Sequence, residues 1–148
     1  MNRQDTNYKP IFSKFDDAKQ YFMKFLQFNY RYFFITVLIF CVEVFIALFV
    51  KDTFIRPFLG DVIVVWFVYY FIKTFVNLKP IYIAVFTLLF SFAVEIGQYF
   101  NLVNILGLQD YKWARIVIGT SFSWWDVLCY VIGFAFLFVL DKDLRKKH

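Results

Sequence analysis

The chain has 148 residues, of which 61% are hydrophobic, with 23 Phe, 10 Tyr and a formal net charge of +5. One domain of this length cannot hide that much apolar surface from water, which excludes an ordinary soluble globule and makes lipid the solvent for much of it. His148 is the single histidine, so histidine metal sites and Ser-His relays are excluded, and Cys41 and Cys129 both fall in apolar segments, which excludes a disulfide framework.

The first thirty or so residues are polar-rich. Within them Phe15, Ala18, Phe22, Phe25 and Leu26 recur at helical spacing, Lys14, Lys19 and Lys24 supply a basic face, and Ser13 with Asp16 suggests an N-cap. The expectation is an amphipathic helix lying in the headgroup plane.

Tyr32–Val50 is the first long apolar run and carries one charge, Glu43; it begins too late for a cleaved signal peptide and reads as an anchor. Val62–Ile72 is wholly apolar but short. It is extended by Phe58–Gly60 on one side and by Lys73–Val76 on the other, with Lys73 expected to snorkel to the headgroups. Ile81–Phe100 again holds one charge, Glu95. Val127–Leu140 is shorter, with Trp124 and Trp125 at one end and the basic string DKDLRKKH at the other, the anchors expected at two interfaces; it is expected to cross thinned or tilted.

The fold class expected is therefore an all-α integral membrane protein. Four transmembrane helices, at about 32–50, 59–76, 81–100 and 126–140, follow a leader (1–31) and precede a basic tail (141–148). Of the 16 Lys and Arg residues, only Lys51, Arg56, Lys112 and Arg115 fall on the side opposite the termini, so the positive-inside rule places both termini in the cytoplasm of a bacterial inner-membrane protein. That asymmetry, together with anionic lipid, accounts for the positive charge without nucleic acid.

The charges repeat in order. Glu43, Asp52, Arg56 and Asp61 in the first half match Glu95, Asp110, Arg115 and Asp126 in the second, and the strings GDVIVVW and WDVLCYV agree locally. This suggests two helical hairpins related by an axis along the membrane normal. Glu43 lies about 10 Å below the outer end of its span and Glu95 about 8 Å below its own, while Asp61 and Asp126 open short helices. A mid-helix carboxylate is costly in lipid, so both glutamates should face the bundle interior, with Arg56 and Arg115 as partners. Ser91, Glu95 and Gln98 share one helix face, as do Thr36 and Glu43, and Asp126, Tyr130 and Gly133. The loop Asn101–Trp125 is apolar enough to lie at the interface or re-enter it, with Gly107 and Gly119 as turns and NLVNILGL and WARIVIG as short helical pieces.

FIRPFLGD (Phe54–Asp61), FAVEIGQYF (Phe92–Phe100) and ARIVIGTSFSWWDVLCYVIG (Ala114–Gly133) together resemble a bacterial family of small four-span proteins akin to VanZ, the domain of unknown function 2809. The likeness covers about Phe33–Leu140. The resemblance carries Glu43, Arg56, Gly60, Asp61, Glu95, Gln98, Arg115, Gly119, Trp124 and Asp126, and departs from the family's frequent acidic residue at Ser123. It implies a link to lowered teicoplanin sensitivity through VanZ and brings no settled activity.

The expected function is an outward-facing cluster that holds the headgroup of a membrane lipid or an amphiphilic envelope molecule. Its ligand-binding residues would be Glu43, Arg56, Asp61, Glu95, Gln98, Arg115, Trp124, Asp126 and Tyr130. One alternative is a structural or complex-subunit protein, with lipid or a membrane-protein partner on its helix faces, whose ion pairs fix helix packing. A small proton-coupled carrier is the other, disfavoured because the cytoplasmic halves offer only Thr36, Tyr69, Tyr70, Tyr82 and Thr87 as weakly polar groups. An enzyme is not expected, since neither His nor a clear nucleophile is present, and no cofactor or metal is implied.

Overall fold

The structure is a computed structural model that describes residues 11–52, 55–112 and 122–145. It is all-α among the described residues, apart from one isolated β-bridge. Helix α1 (Ile11–Phe25) leads into α2 (Tyr30–Phe49), α3 (Ile55–Phe75), α4 (Pro80–Tyr99) and the single turn α5 (Leu102–Ile105). Helix α6 (Trp124–Leu140) and the short α7 (Lys142–Arg145) complete it. The helices α2, α3 and α4 are long and apolar enough to cross a membrane; α6, at 17 residues, is the shorter apolar helix. This is a membrane protein.

Local signals set the helix ends. Asn29 caps α2, its side chain accepting the Arg31 amide at 3.1 Å, and Ser123 caps α6 by accepting the Trp125 amide at 3.2 Å. Pro80 opens α4 at a position where the missing amide has no helical partner to lose. Asn101 adopts a left-handed conformation (φ 53°) where the chain leaves α4, and Gly107 does the same (φ 67°) after α5, each a residue type that tolerates positive φ in a turn. Within α1, Ser13 is not the cap. The helix begins two residues earlier, at Ile11, so Ser13 lies in its first turn.

The two ends of the bundle are built differently. At the end where α2 begins and α6 finishes, the terminal end, the α1–α2 link pairs with the α3–α4 link: Gln27 and Asn29 amides donate to Phe75 and Thr74 carbonyls, and the Asn77 amide donates to the Phe25 carbonyl. At the opposite, loop end lie the α2–α3 connection, α5 and the start of α6.

Helix α3 is the hub, packing against α2, α4 and α6, while α4 also packs on α6. Among the described helices α2 packs mainly on α3, with Tyr32 also reaching Asp143 of α7, and most of its aromatic side chains, including Phe34, Phe45 and Phe49, are exposed. The core is small: Ile39, Val65, Tyr69, Tyr70, Ile83, Ala84, Tyr130 and Leu137. Between helices in lipid there is no water to expel, so close backbone approach and polar contacts must supply the attraction. Gly133 provides the approach, because a Cβ there would sit 2.9 Å from the Val62 carbonyl oxygen and 3.2 Å from Val65 Cβ. Across the same contact the Trp66 indole N–H donates to the Gly133 carbonyl at 2.9 Å. In α5, Val103 is buried, and the turn packs against α4.

Candidate functional site

Four acidic side chains expected to converge do so at the loop end. Asp61 on α3 meets the carboxyl of Asp126 on α6, and Glu95 on α4 and Glu43 on α2 both lie within electrostatic range of it. Two carboxyl groups tolerate such a contact only with a proton or another cation between them. Periodicity places Ser91 and Glu95 one turn apart on the buried face of α4, and Tyr130 and Gly133 on the buried face of α6, with Asp126 partly buried one turn before Tyr130.

Glu95 is the most deeply set, 1% exposed. Its Oε1 accepts the Tyr130 hydroxyl at 3.0 Å and its Oε2 faces the Ser123 amide at 3.4 Å. Among the described residues, the hydrogen-bond partners of Glu95 are thus a phenol and the helix-capping residue of α6. Arg115, like Gly119 and the WARIVIG segment, lies outside the described residues. Gln98 is half-buried a turn beyond Glu95 and makes contacts of its own.

Glu43 and Arg56 also differ from the expectation of a direct pair. Among the described residues no ion pair joins them, and Glu43 Oε1 is buried without a hydrogen-bond partner. Both instead line a cleft of about 470 Å³ between the end of α2 and the start of α3, together with Lys51, Asp52, Gly60, Asp61 and apolar Ile46, Ala47 and Pro57. Lys51 and Arg56 are exposed at its rim, whereas Glu43 and Asp61 sit further in. Trp124 does not join the cluster: it is 77% exposed.

A second polar centre, at the terminal end, escaped the sequence reading. Lys73 does not snorkel. It is 7% exposed and bonds Asp141, itself 6% exposed, at the C-terminal end of α6. Its Nζ also contacts Asp143 at 3.4 Å and stands 4.3 Å from the centre of the Tyr32 ring. The Tyr69 hydroxyl donates to Asp141 at 2.7 Å and the Tyr32 hydroxyl to Asp143 at 2.9 Å, tying α2, α3, α6 and α7 together. Nearby, the buried hydroxyls of Thr36 and Thr74 lie 3.5 Å apart. The signal for this centre was the acidic pair in DKDLRKKH, which was read for its basic residues alone. Polar side chains therefore do continue into the terminal half, against the reading that those halves were nearly apolar. On α4, Thr87 and Ser91 are buried as well, each hydroxyl donating to the carbonyl one turn back at 2.9 and 3.0 Å.

No curated protein and no solved structure matches the chain. A family model described as a protein of unknown function (DUF2809) matches residues 50–134, a stretch that begins later than Phe33, where the likeness had been expected to start. It takes in Arg56, Asp61, Glu95, Gln98, Asp126 and Tyr130 and leaves out Glu43 and Asp141. With that match across more than half its length, the chain belongs to the DUF2809 family.

Proposed function

We propose that the chain is a four-span protein of the bacterial inner membrane, with both termini in the cytoplasm, that binds the headgroup of a lipid or amphiphilic envelope molecule in the loop-end cleft. The observation that carries this reading is the α2–α3 cleft itself. Its volume of about 470 Å³ falls within the roughly 300–1,000 Å³ usual for small-ligand sites. Its rim cations, Lys51 and Arg56, stand where α2 ends and α3 begins, which in the proposed four-span arrangement is the level at which headgroups meet water. A guanidinium there can take a phosphate or carboxylate through two parallel hydrogen bonds.

Helix α6 has 17 residues, about 25 Å at 1.5 Å per residue, enough to cross a bilayer that thins slightly around it. The acidic cluster of Asp61, Asp126 and Glu95 lies beside the cleft and sets its field. The shared order of charges supports a duplicated hairpin, and the resemblance to VanZ agrees with a role at the cell envelope.

A carrier is the second reading, favoured by the buried polar groups at both ends of the bundle, Glu95 and Tyr130 at one and Lys73, Asp141 and Tyr69 at the other. For the terminal centre alone a packing role is favoured, since every charge there has an internal partner.

The test is lipid retention. The full chain is extracted from a bacterial membrane, purified in a mild detergent, and its bound lipids are identified by mass spectrometry beside Lys51→Gln/Arg56→Gln. The expected result is a headgroup class enriched over bulk membrane in the wild type and lost in the double variant. Equal, unselective lipid in both would leave only the structural alternative.

A further inference from the structure

The depth order of charges in the cleft carries information beyond anion binding. Arg56 lies in the first turn of α3, and Asp61 is five residues further along, about 7.5 Å deeper at the helical rise; Glu43 is six residues back from the end of α2, about 9 Å deep. Lys51 and Arg56 stand at the rim, with Asp52 beside them, and Glu43 and Asp61 lie further in.

One inner oxygen, Glu43 Oε1, is closed to solvent and has no hydrogen-bond donor; since the Glu43 side chain lines the cleft, a turn of its carboxyl is what would present that oxygen to a ligand. A buried acceptor left bare costs free energy unless something brings it a proton donor. The nearby acids deepen the need. Asp61 is already crowded by Asp126 and Glu95, so a positive group entering at Glu43 relieves repulsion as well as supplying the missing donor. Among the described residues no three acidic or cysteine side chains converge closely enough to ligate a metal ion. A hydrogen-bonding organic cation meets both requirements, because it brings N–H donors and charge without a fixed coordination shell.

We infer that the cleft recognises a primary ammonium joined to an anionic group, the chemistry of a phosphoethanolamine unit, with the ammonium inserted toward Glu43 and Asp61 and the anion held at the rim by Arg56 and Lys51. This deepens the proposed headgroup binding and rests on it. The same chemistry comes from a free phosphate ester or from a lipid headgroup. A quaternary ammonium has the same charge but no N–H, so it cannot satisfy Glu43 Oε1. That difference is the specificity the geometry builds.

Titration calorimetry on the full chain in phosphatidylcholine nanodiscs tests this with O-phosphoethanolamine, phosphocholine and inorganic phosphate as soluble probes. A second arm compares nanodiscs with and without phosphatidylethanolamine for lipid enrichment around the protein. Phosphoethanolamine is expected to bind at least about tenfold more tightly than phosphocholine, the usual consequence of one unmade hydrogen bond to a charged group. Glu43→Gln should abolish the preference while leaving phosphate binding in place. Asp61→Asn repeats the test if Glu43→Gln does not give a helical, monodisperse protein. Arg56→Gln should weaken all three probes together.

A preference seen only in the lipid arm assigns the ligand to a lipid; a preference among the soluble probes assigns it to a free ester. Equal binding of phosphoethanolamine and phosphocholine, lost in Arg56→Gln, overturns the ammonium inference while the headgroup reading stands. No binding or enrichment in either arm overturns both.

Discussion

Three side chains decide most of what can be measured at single positions. Glu95 acts as an acceptor toward both the Tyr130 hydroxyl and the Ser123 amide. In Glu95→Gln the oxygen facing Tyr130 becomes an NH2 that the hydroxyl meets only by turning to accept, and both contacts lose the carboxylate's charge, so the variant should lose about 1–3 kcal/mol of stability, read as a lower thermal midpoint in detergent. Tyr130→Phe removes one partner only and should cost less, about 1 kcal/mol, by the same measurement. An undiminished midpoint in both would mean that the contact contributes nothing to the bundle. Lys73 is the opposite case, a buried cation whose partner Asp141 is equally buried. Lys73→Met leaves Asp141 without its cation and should cost about 3–5 kcal/mol, whereas Lys73→Met with Asp141→Leu should recover much of that loss, because the two buried charges go together and what loses a contact is the Tyr69 hydroxyl and the less buried Asp143. A double variant as unstable as the single one would show that the contact is not an energetic unit.

Helix pairing is governed by which faces are small. The α3–α6 contact closes over Gly133, where any Cβ meets the backbone of α3. Gly133→Val should therefore push α6 away from α3 and lower the unfolding midpoint by the equivalent of about 1–3 kcal/mol, an overpacking cost that no side-chain rotamer relieves because the obstacle is a carbonyl. Helix α2, by contrast, packs mainly on α3 and leaves Cys41 exposed, while α6 buries Cys129. A small lipid-soluble maleimide is thus expected to modify Cys41 in the folded protein and to reach Cys129 only after denaturation. Comparable labelling rates at the two thiols would contradict the packing of α6 against its neighbours.

For the molecule as a whole, the arrangement of α2, α3, α4 and α6 brings Asn29, the α3–α4 link and α7 to one end and the α2–α3 link and α5 to the other. Four crossings would return the chain to the side on which it started. Tags at both termini should be digested by a protease added to inverted vesicles and protected in intact cells, and a tag between Lys51 and Asp52 should behave in the reverse manner. The excess of Lys and Arg at the terminal end predicts that the shared side is the cytoplasm. Termini on opposite sides would remove α6 from the set of spanning helices and with it the four-span proposal.

Much of this protein is legible before any coordinates. Lipid as solvent follows from the count of apolar residues, and the helices follow from uninterrupted apolar runs, since a backbone in lipid must satisfy its own hydrogen bonds. Even the gathering of Glu43, Asp61, Glu95 and Asp126 could be read from helical spacing, because a mid-membrane acid has few places to go other than the bundle interior. Partners were another matter. Tyr130 was placed beside Glu95 only as a neighbouring face, Glu43 and Arg56 proved to share a cleft in place of a bond, and Lys73 with Asp141 went unseen, 68 residues apart in sequence. Periodicity states which way a side chain leaves its own helix. Rotation and depth of one helix against another decide what it meets, and here those were set by Gly133 letting α6 close on α3 and by the C-terminal end of α6 carrying Asp141 down to Lys73.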